Sequence, residues 1–241
     1  MSYIRLVAAI AILLAAIYFV EDESGDSAKG KNGSVTHVQG EIVDYEEARV
    51  VFWRELYPSG NTIYCNVSFD GSKRSGINVE HVFPMSWATN GLDCGTRNQC
   101  RERSDVFNLI EADMHNLYPS LSNVNQARSS YAFAEVNGEV REFGGNCDFE
   151  VNRQRRLAEP RPEVRGDVAR AMFYMAYRYK NYGLKLFARQ GKTLLDWHKK
   201  GPPKKNELQR NNEIESLQNN RNPFVDEPEL LDKLVAQGYF F

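Results

Sequence analysis

The sequence has no excess of positive charge. Thirty Lys and Arg stand against 32 Asp and Glu, a net charge of −2. Nucleic-acid binders are often basic, so overall charge lends no support to such a partner and leaves only a cleft with local positive potential. There is also no C-x-x-C pair and no His at zinc-finger distance from the four cysteines, which disfavours a structural zinc site. The body of the chain carries no internal repeat and no low-complexity tract, so a repeat architecture is not expected.

What is there begins with an ordinary globular balance: 241 residues, 42% hydrophobic and 26% charged, enough for one domain with a full core. Residues 1–20 differ from everything after them. Arg5 is their one charge, and Leu6 to Val20 is unbroken apolar sequence. This resembles a secretory signal and is short for a membrane span. A clear small-residue cleavage site is missing, so an uncleaved membrane anchor through residues 6–20 is the alternative. Residues 21–40 are polar and Gly/Ser-rich and read as a flexible linker, leaving 41–241 as the folded domain. An even cysteine count behind an export signal favours two disulfides over four reduced thiols. Three pairings are open; Cys94–Cys100 is the local one and would leave Cys65–Cys147 joining distant segments.

Local patterns predict the elements. Asp44 with Glu47 caps a helix whose apolar face is Ala48, Val51, Phe52 and Leu56. Alternation over 62–69 predicts a strand, and Ile77 to Phe83 a second extended run. Gly91 to Ser104 reads as an irregular loop bracketed by cysteines. Ser120 to Phe133 suggests a helix, and Asn137-Gly138 a tight hairpin. Pro162 suits the first turn of a long helix with the stripe Val164, Val168, Ala171, Met172, Met175, Ala176 and Tyr179. Thr193 with Asp196 marks a short helix start. A polar helix through Leu208, Ile214 and Leu217 follows, and a last one over Pro228 to Val235.

Two stretches carry the chemistry: Asn78-Val79-Glu80-His81-Val82-Phe83-Pro84, and Asp113-Met114-His115-Asn116-Leu117-Tyr118-Pro119 leading into Ser122 to Arg128. Hydrolysis of a phosphodiester needs an activated water, neutralisation of phosphate charge and protonation of the leaving oxygen; a divalent metal serves the last two. In this reading His81 is the general base. Glu80 and the Asn125 side-chain oxygen hold the metal, and such hard ligands favour Mg²⁺, with Mn²⁺ or Ca²⁺ as other divalent candidates. Neighbouring strand residues point to opposite faces, so Glu80 and His81 can serve one site only where the strand ends, bends or twists. A Glu-His pair alone is most often a surface carboxylate beside a half-buried histidine. His115 reads as packing, His37 and His198 as solvated, and Glu111 and Asp113 as salt-bridge partners of nearby arginines. The basic run over 152–170, Arg165 included, either tracks a phosphate backbone or is a solvated face with internal ion pairs.

Taken together, the first motif, Ala112 to Pro119, Val124-Asn125-Gln126-Ala127-Arg128-Ser129, Glu163 to Arg170 and Asn222-Pro223-Phe224 resemble the endonuclease I family, exported bacterial nucleases with a ββα-metal (His-Me finger) site. The blocks stand in family order from about residue 44 to 235. The resemblance implies His81 as base and Glu80 with Asn125 as metal ligands. It implies that an arginine of the cystine-tied loop touches the scissile phosphate: Arg97, with Arg101 as the second candidate. Arg128 is placed on phosphate or in a salt bridge, and Asn116 bracing the loop whose carbonyl orients His81.

The expected fold is α+β, a ββα-metal nuclease core embedded in a mostly helical domain. The expected activity is metal-dependent, largely sequence-nonspecific cleavage of DNA, and in many family members RNA, by a monomer outside the cytoplasm, with 5′-phosphate products. The rival is a noncatalytic, membrane-anchored nucleic-acid-binding protein with a nuclease-like fold.

Overall fold

The computed structural model describes residues 42–71, 74–138 and 140–241. The apolar run at 6–20, the linker at 21–40 and His37 lie outside the described residues. Among the described residues no helix is long and apolar enough to cross a membrane.

The first helix, α1 (Tyr45–Val51), runs on into one π-helical turn, Phe52–Leu56. The Asp44 carboxylate accepts from the backbone N–H of Glu46 at 2.9 Å and of Glu47 at 3.0 Å, satisfying two of the donors a helix start leaves free. Ala48, Phe52 and Leu56 are buried, as the spacing predicts, and join Ala112, Met114, Leu117 and Ile214 in the smaller of two apolar clusters.

Residues 62–69 do not form the expected strand. β1 (Ser59–Asn61) and β2 (Ser68–Asp70) pair antiparallel, and the chain between them folds inward. Thr62, Ile63, Tyr64 and Cys65 are all buried, so the alternation does not separate two faces. Asn66 takes a left-handed conformation (φ 55), Ile63 N–H bonds to Pro119 C=O at 2.8 Å, and Cys65 is bonded to Cys147. These tertiary ties outweigh a local β preference, which is weak in any case.

β3 (Ile77–His81) and β4 (Leu117–Leu121) form an antiparallel ribbon with Ile77 opposite Leu121 and His81 opposite Leu117. Directly after β4 comes α5 (Ser122–Arg128), which stops short of the expected Phe133 because Ser129 turns to positive φ. Between the two strands lie α2 (Met85–Leu92), α3 (Arg97–Arg103) and α4 (Asp105–Ala112). The stretch read as an irregular loop is thus largely helical. Thr96 and Gln99 make a reciprocal capping box at the head of α3, and the Cys94–Cys100 disulfide ties that helix to the preceding turn.

Short strands β5 (Ala132–Phe133), β6 (Phe149–Asn152) and β7 (Leu157–Pro160) make a sheet in the order β5-β7-β6. The hairpin lies between β6 and β7 rather than at Asn137-Gly138; residues 134–138 form no strand. A 3₁₀ turn opening at Pro162 leads into α6 (Arg165–Arg178). Every residue from Val168 to Ala176 is buried, so α6 is a central helix packed on all sides, not one with a single apolar stripe. Then follow α7 (Ala188–Lys200), which begins well before Thr193, α8 (Lys205–Gln218), α9 (Pro223–Asp226) and α10 (Pro228–Ala236). The fold is α+β.

Candidate active site

Glu80 and His81 both line a cleft of about 510 Å³, together with Tyr45, Asn125, Arg97 and Arg128. They can do so because β3 ends at His81, and two residues on the Phe83 backbone is held by the Asn116 side chain and not by a strand ladder. Adjacent side chains reach one site where pairing stops, as strand geometry requires.

His81 Nε2 lies 3.0 Å from the main-chain oxygen of Glu111. A carbonyl can only accept, so Nε2 carries the proton and Nδ1 keeps its lone pair. Burial, then the neighbouring Arg97, lowers the His81 pKa to about 3, so the ring stays neutral. Tyr45 packs against it, ring centroids 5.1 Å apart.

The Glu80 carboxylate is 2% exposed, yet Oε1 accepts from Tyr64 OH at 2.7 Å and faces Arg128 Nε at 3.4 Å. Oε2 takes no hydrogen bond from any described residue. Burial raises the Glu80 pKa to about 6, against the pull of Arg128 and Tyr64. Asn125 is oriented by its amide nitrogen, which donates to Asn78 Oδ1 at 2.9 Å and to Val79 C=O at 3.1 Å. The nitrogen must face those acceptors, so Oδ1 is the free end.

The arginines divide by burial. Arg128 is 1% exposed and donates to three main-chain oxygens, those of His81 (3.4 Å), Ser129 (3.1 Å) and Val82. Its guanidinium also lies 4.5 Å from the Phe133 ring centroid, and its Nε finds no hydrogen bond among the described residues. It faces Glu80 in the salt bridge that is one of its two expected placements. Arg97 opens α3 and pairs with the Glu111 carboxylate; Arg101 binds the same carboxylate at 2.7 and 2.9 Å. Both lie over Tyr45, at 5.6 and 5.7 Å from its ring. Only Arg97 of the two lines the cleft.

Some expected site residues lie elsewhere. Asn116 is fully buried and clamps Phe83, accepting from its N–H at 2.6 Å and donating to its C=O at 3.0 Å. The carbonyl on His81 belongs to Glu111, on the helix before. Arg165 is away from the cleft, donating to Glu159 at 2.5 Å and Pro160 C=O at 2.9 Å beneath Trp197. Arg153 and Arg170 of the same basic run are also paired, with Glu142 and Glu207. His198 is buried, not solvated, between Arg170 and the Pro228 carbonyl. His115 is buried against Tyr174. Tyr45 and Tyr64, which the sequence reading missed, sit in no motif; only the positions of α1 and of the Cys65 disulfide bring them to the site.

The mixed fold gathers a carboxylate, an imidazole and arginines around one cleft. Residues 22–229 match the family described as Endonuclease I, and the chain belongs to the endonuclease I family. It is 35% identical over 184 residues to an extracellular deoxyribonuclease of Aeromonas hydrophila, covering 67% of this chain and 78% of that protein. It is 34% identical over 194 residues to a periplasmic deoxyribonuclease of the same organism, covering 71% and 80%. An extracellular ribonuclease of Bacillus amyloliquefaciens is 37% identical over 191 residues, covering 71% of this chain and 60% of that protein.

Proposed function

We propose that the chain is an exported, divalent-metal-dependent endonuclease that cleaves DNA with little sequence preference, acting as a monomer. The observation that carries this reading is the convergence of Glu80, His81, Asn125 and Arg97 on one cleft. β3, β4 and α5 would be the ββα-metal module. The names of the relatives, extracellular and periplasmic, and the apolar run at 6–20 support export.

The donor set fits a hard divalent ion. One carboxylate oxygen, Glu80 Oε2, and one amide oxygen, Asn125 Oδ1, lack partners among the described residues and line the same cleft. Two protein ligands suit Mg²⁺, which keeps several waters and accepts phosphate oxygens. Bound there, the ion would supply Lewis acidity at the phosphate and an acidic water for the leaving oxygen. His81 takes the proton of the attacking water at Nδ1 while Glu111 C=O holds the opposite nitrogen. The arginines and burial keep the ring neutral at the cost of basicity, and the negative phosphate restores part of it by opposing them. Arg97, nearly half exposed, swings from Glu111 to the phosphate. Arg128 holds Glu80 and the end of β3 in place.

Nicking of supercoiled plasmid with and without EDTA tests the reading. Cleavage that EDTA abolishes and Mg²⁺ restores is expected of the parent, and none of His81→Ala. EDTA-resistant cleavage, or full activity in that variant, overturns it. The ribonuclease among the relatives makes RNA the second substrate to assay.

A further inference from the structure

Beside the cleft lies a second hollow of about 570 Å³ lined by Arg49, Val50, Trp53, Arg54, Arg74 and Ile77, with no carboxylate among its lining residues. No residue lines both, but the same two elements do. Tyr45 and Asn78 line the cleft; Arg49, Trp53 and Ile77, from the same helical run and the same strand, line its neighbour. Tyr45, Arg49 and Trp53 recur every fourth residue and so lie along one side of that run. The track therefore continues from His81 past Tyr45 to Arg49 and Trp53.

Its chemistry is basic and aromatic. Arg49 and Arg54 pair with Glu46 and Glu55, but all four side chains are about half exposed or more, and exposed pairs of this kind contribute little, so phosphate can replace either partner. Arg74 makes no ion pair with any described residue. Its guanidinium lies 5.0 Å from the Trp53 ring centroid. Val50 is 54% exposed, an apolar side chain that the core does not use.

We propose that this hollow is an accessory subsite for the nucleic-acid strand that flanks the scissile phosphate, resting on the endonuclease reading above. Phosphates of the flank lie against Arg49, Arg54 and Arg74, and an unpaired base stacks on the Arg74–Trp53 pair. Arginine planes and indole rings accept any base face, so the subsite adds affinity without sequence preference. Stacking needs a base free of its complement, so the preferred occupant is single-stranded.

The test is binding of a labelled oligothymidylate of about 15 nucleotides and of the matching duplex to the full chain carrying His81→Ala, over a salt series. Arg74→Gln in that background is expected to weaken single-strand binding several-fold and to reduce the slope of log K against log salt by about 0.7, one phosphate contact on a single strand. Trp53→Ala is expected to weaken it about fivefold or more, the scale of one base–aromatic stack, with the slope unchanged. Arg74→Lys keeps the slope but not the full affinity. The duplex loses less from Trp53→Ala than the single strand. Arg74 is half-buried and its Nη1 reaches the Trp53 main-chain oxygen at 3.5 Å, a bond Gln or Lys can also donate, so Arg74→Gln, read beside Arg74→Lys, decides the matter should Trp53→Ala fold poorly. Parent-like affinity and slope in Arg74→Gln, no binding by the His81→Ala protein, or equal losses for duplex and single strand would each overturn the subsite. Absence of nicking by the otherwise unaltered chain overturns the endonuclease reading instead, and leaves the binding comparison valid.

Discussion

His81 and Glu111 meet through a ring nitrogen and a main-chain oxygen, 3.0 Å apart, while the Glu111 carboxylate faces the other way and holds Arg97 and Arg101. One residue thus holds the proposed base by its backbone and two arginines by its side chain. Glu111→Gln separates the two. The carbonyl stays, so the orientation of His81 is kept, but the arginines lose their charged anchor. Removing a buried charge from its partners costs several kcal/mol when both are buried. Here Arg97 and Arg101 are 43% and 38% exposed and rehydrate, so about 1–3 kcal/mol is expected by denaturant unfolding. Activity should fall less than in His81→Ala, where loss of a general base removes a factor of about 10²–10⁴. Equal losses in the two variants would contradict this division of roles.

The two disulfides should differ in their effect on stability. Cys65–Cys147 spans 82 residues and Cys94–Cys100 spans 6. On the loop-closure model the first constrains the unfolded chain by about 4.5 kcal/mol and the second by about 2 kcal/mol. Paired Cys→Ser variants are compared by urea midpoint. The Cys94/Cys100 pair should show the smaller stability loss but the larger loss of activity, because it ties the helix that carries Arg97.

His115 provides the pH signature. Burial, then Arg210 and Arg178 against the opposing Asp113, lowers its pKa from 6.5 to about 4. The unfolded chain therefore takes up a proton between those values that the folded chain refuses. Stability conferred by the neutral ring is complete above pH 6.5 and drains away as pH falls toward 4. The slope of unfolding free energy with pH in that window should be shallower in His115→Gln than in the parent. An NMR titration should place the His115 midpoint near 4; a midpoint near 6.5 would show the ring to be solvated.

Gly166 allows the first turn of α6 to lie directly on the backbone of Gly201. A Cβ at position 166 would fall inside van der Waals contact with the Gly201 carbonyl oxygen and crowd Arg170 Nη2 at 3.0 Å. Gly166→Ala should cost about 1–3 kcal/mol or more, as overpacking does. The backbone there is helical, so alanine's better helix propensity would show as a gain if the contact were soft. A raised melting temperature would refute the close approach.

Where one local force dominates, the sequence was readable. Asp44 caps α1, Pro162 opens the turn before α6, and the first motif stretch forms β3, which ends at His81, while the second passes through a 3₁₀ turn at Met114–Asn116 into β4. Where tertiary ties decide, it was not. The alternation from Thr62 to Phe69 was overruled by the Cys65 bond and a left-handed Asn66. Asn137-Gly138 carries a hairpin signal with no paired strands around it. Thr96 and Gln99 carry a legible capping box, but the polar residues around it give the helix no apolar face to betray it. His198 shows no sign in sequence of the buried Arg170 beside it. In the candidate site, the residues on β3 and α5 come from contiguous motifs. Tyr45, Tyr64 and the two-sided role of Glu111 depend on packing between segments that no local pattern links.

The opposite settings of Arg128 and Arg97 have a consequence for redesign. Arg128 has three backbone carbonyls as partners, so moving it would unmake the end of β3; it is a strut. Arg97, itself 43% exposed, is held among the described residues only by the Glu111 carboxylate and the Tyr45 ring; in the proposed mechanism it is a lever. Efforts to retune which polyanion the cleft accepts should therefore begin at the lever and its short cystine-bound hinge, and leave the strut as it is.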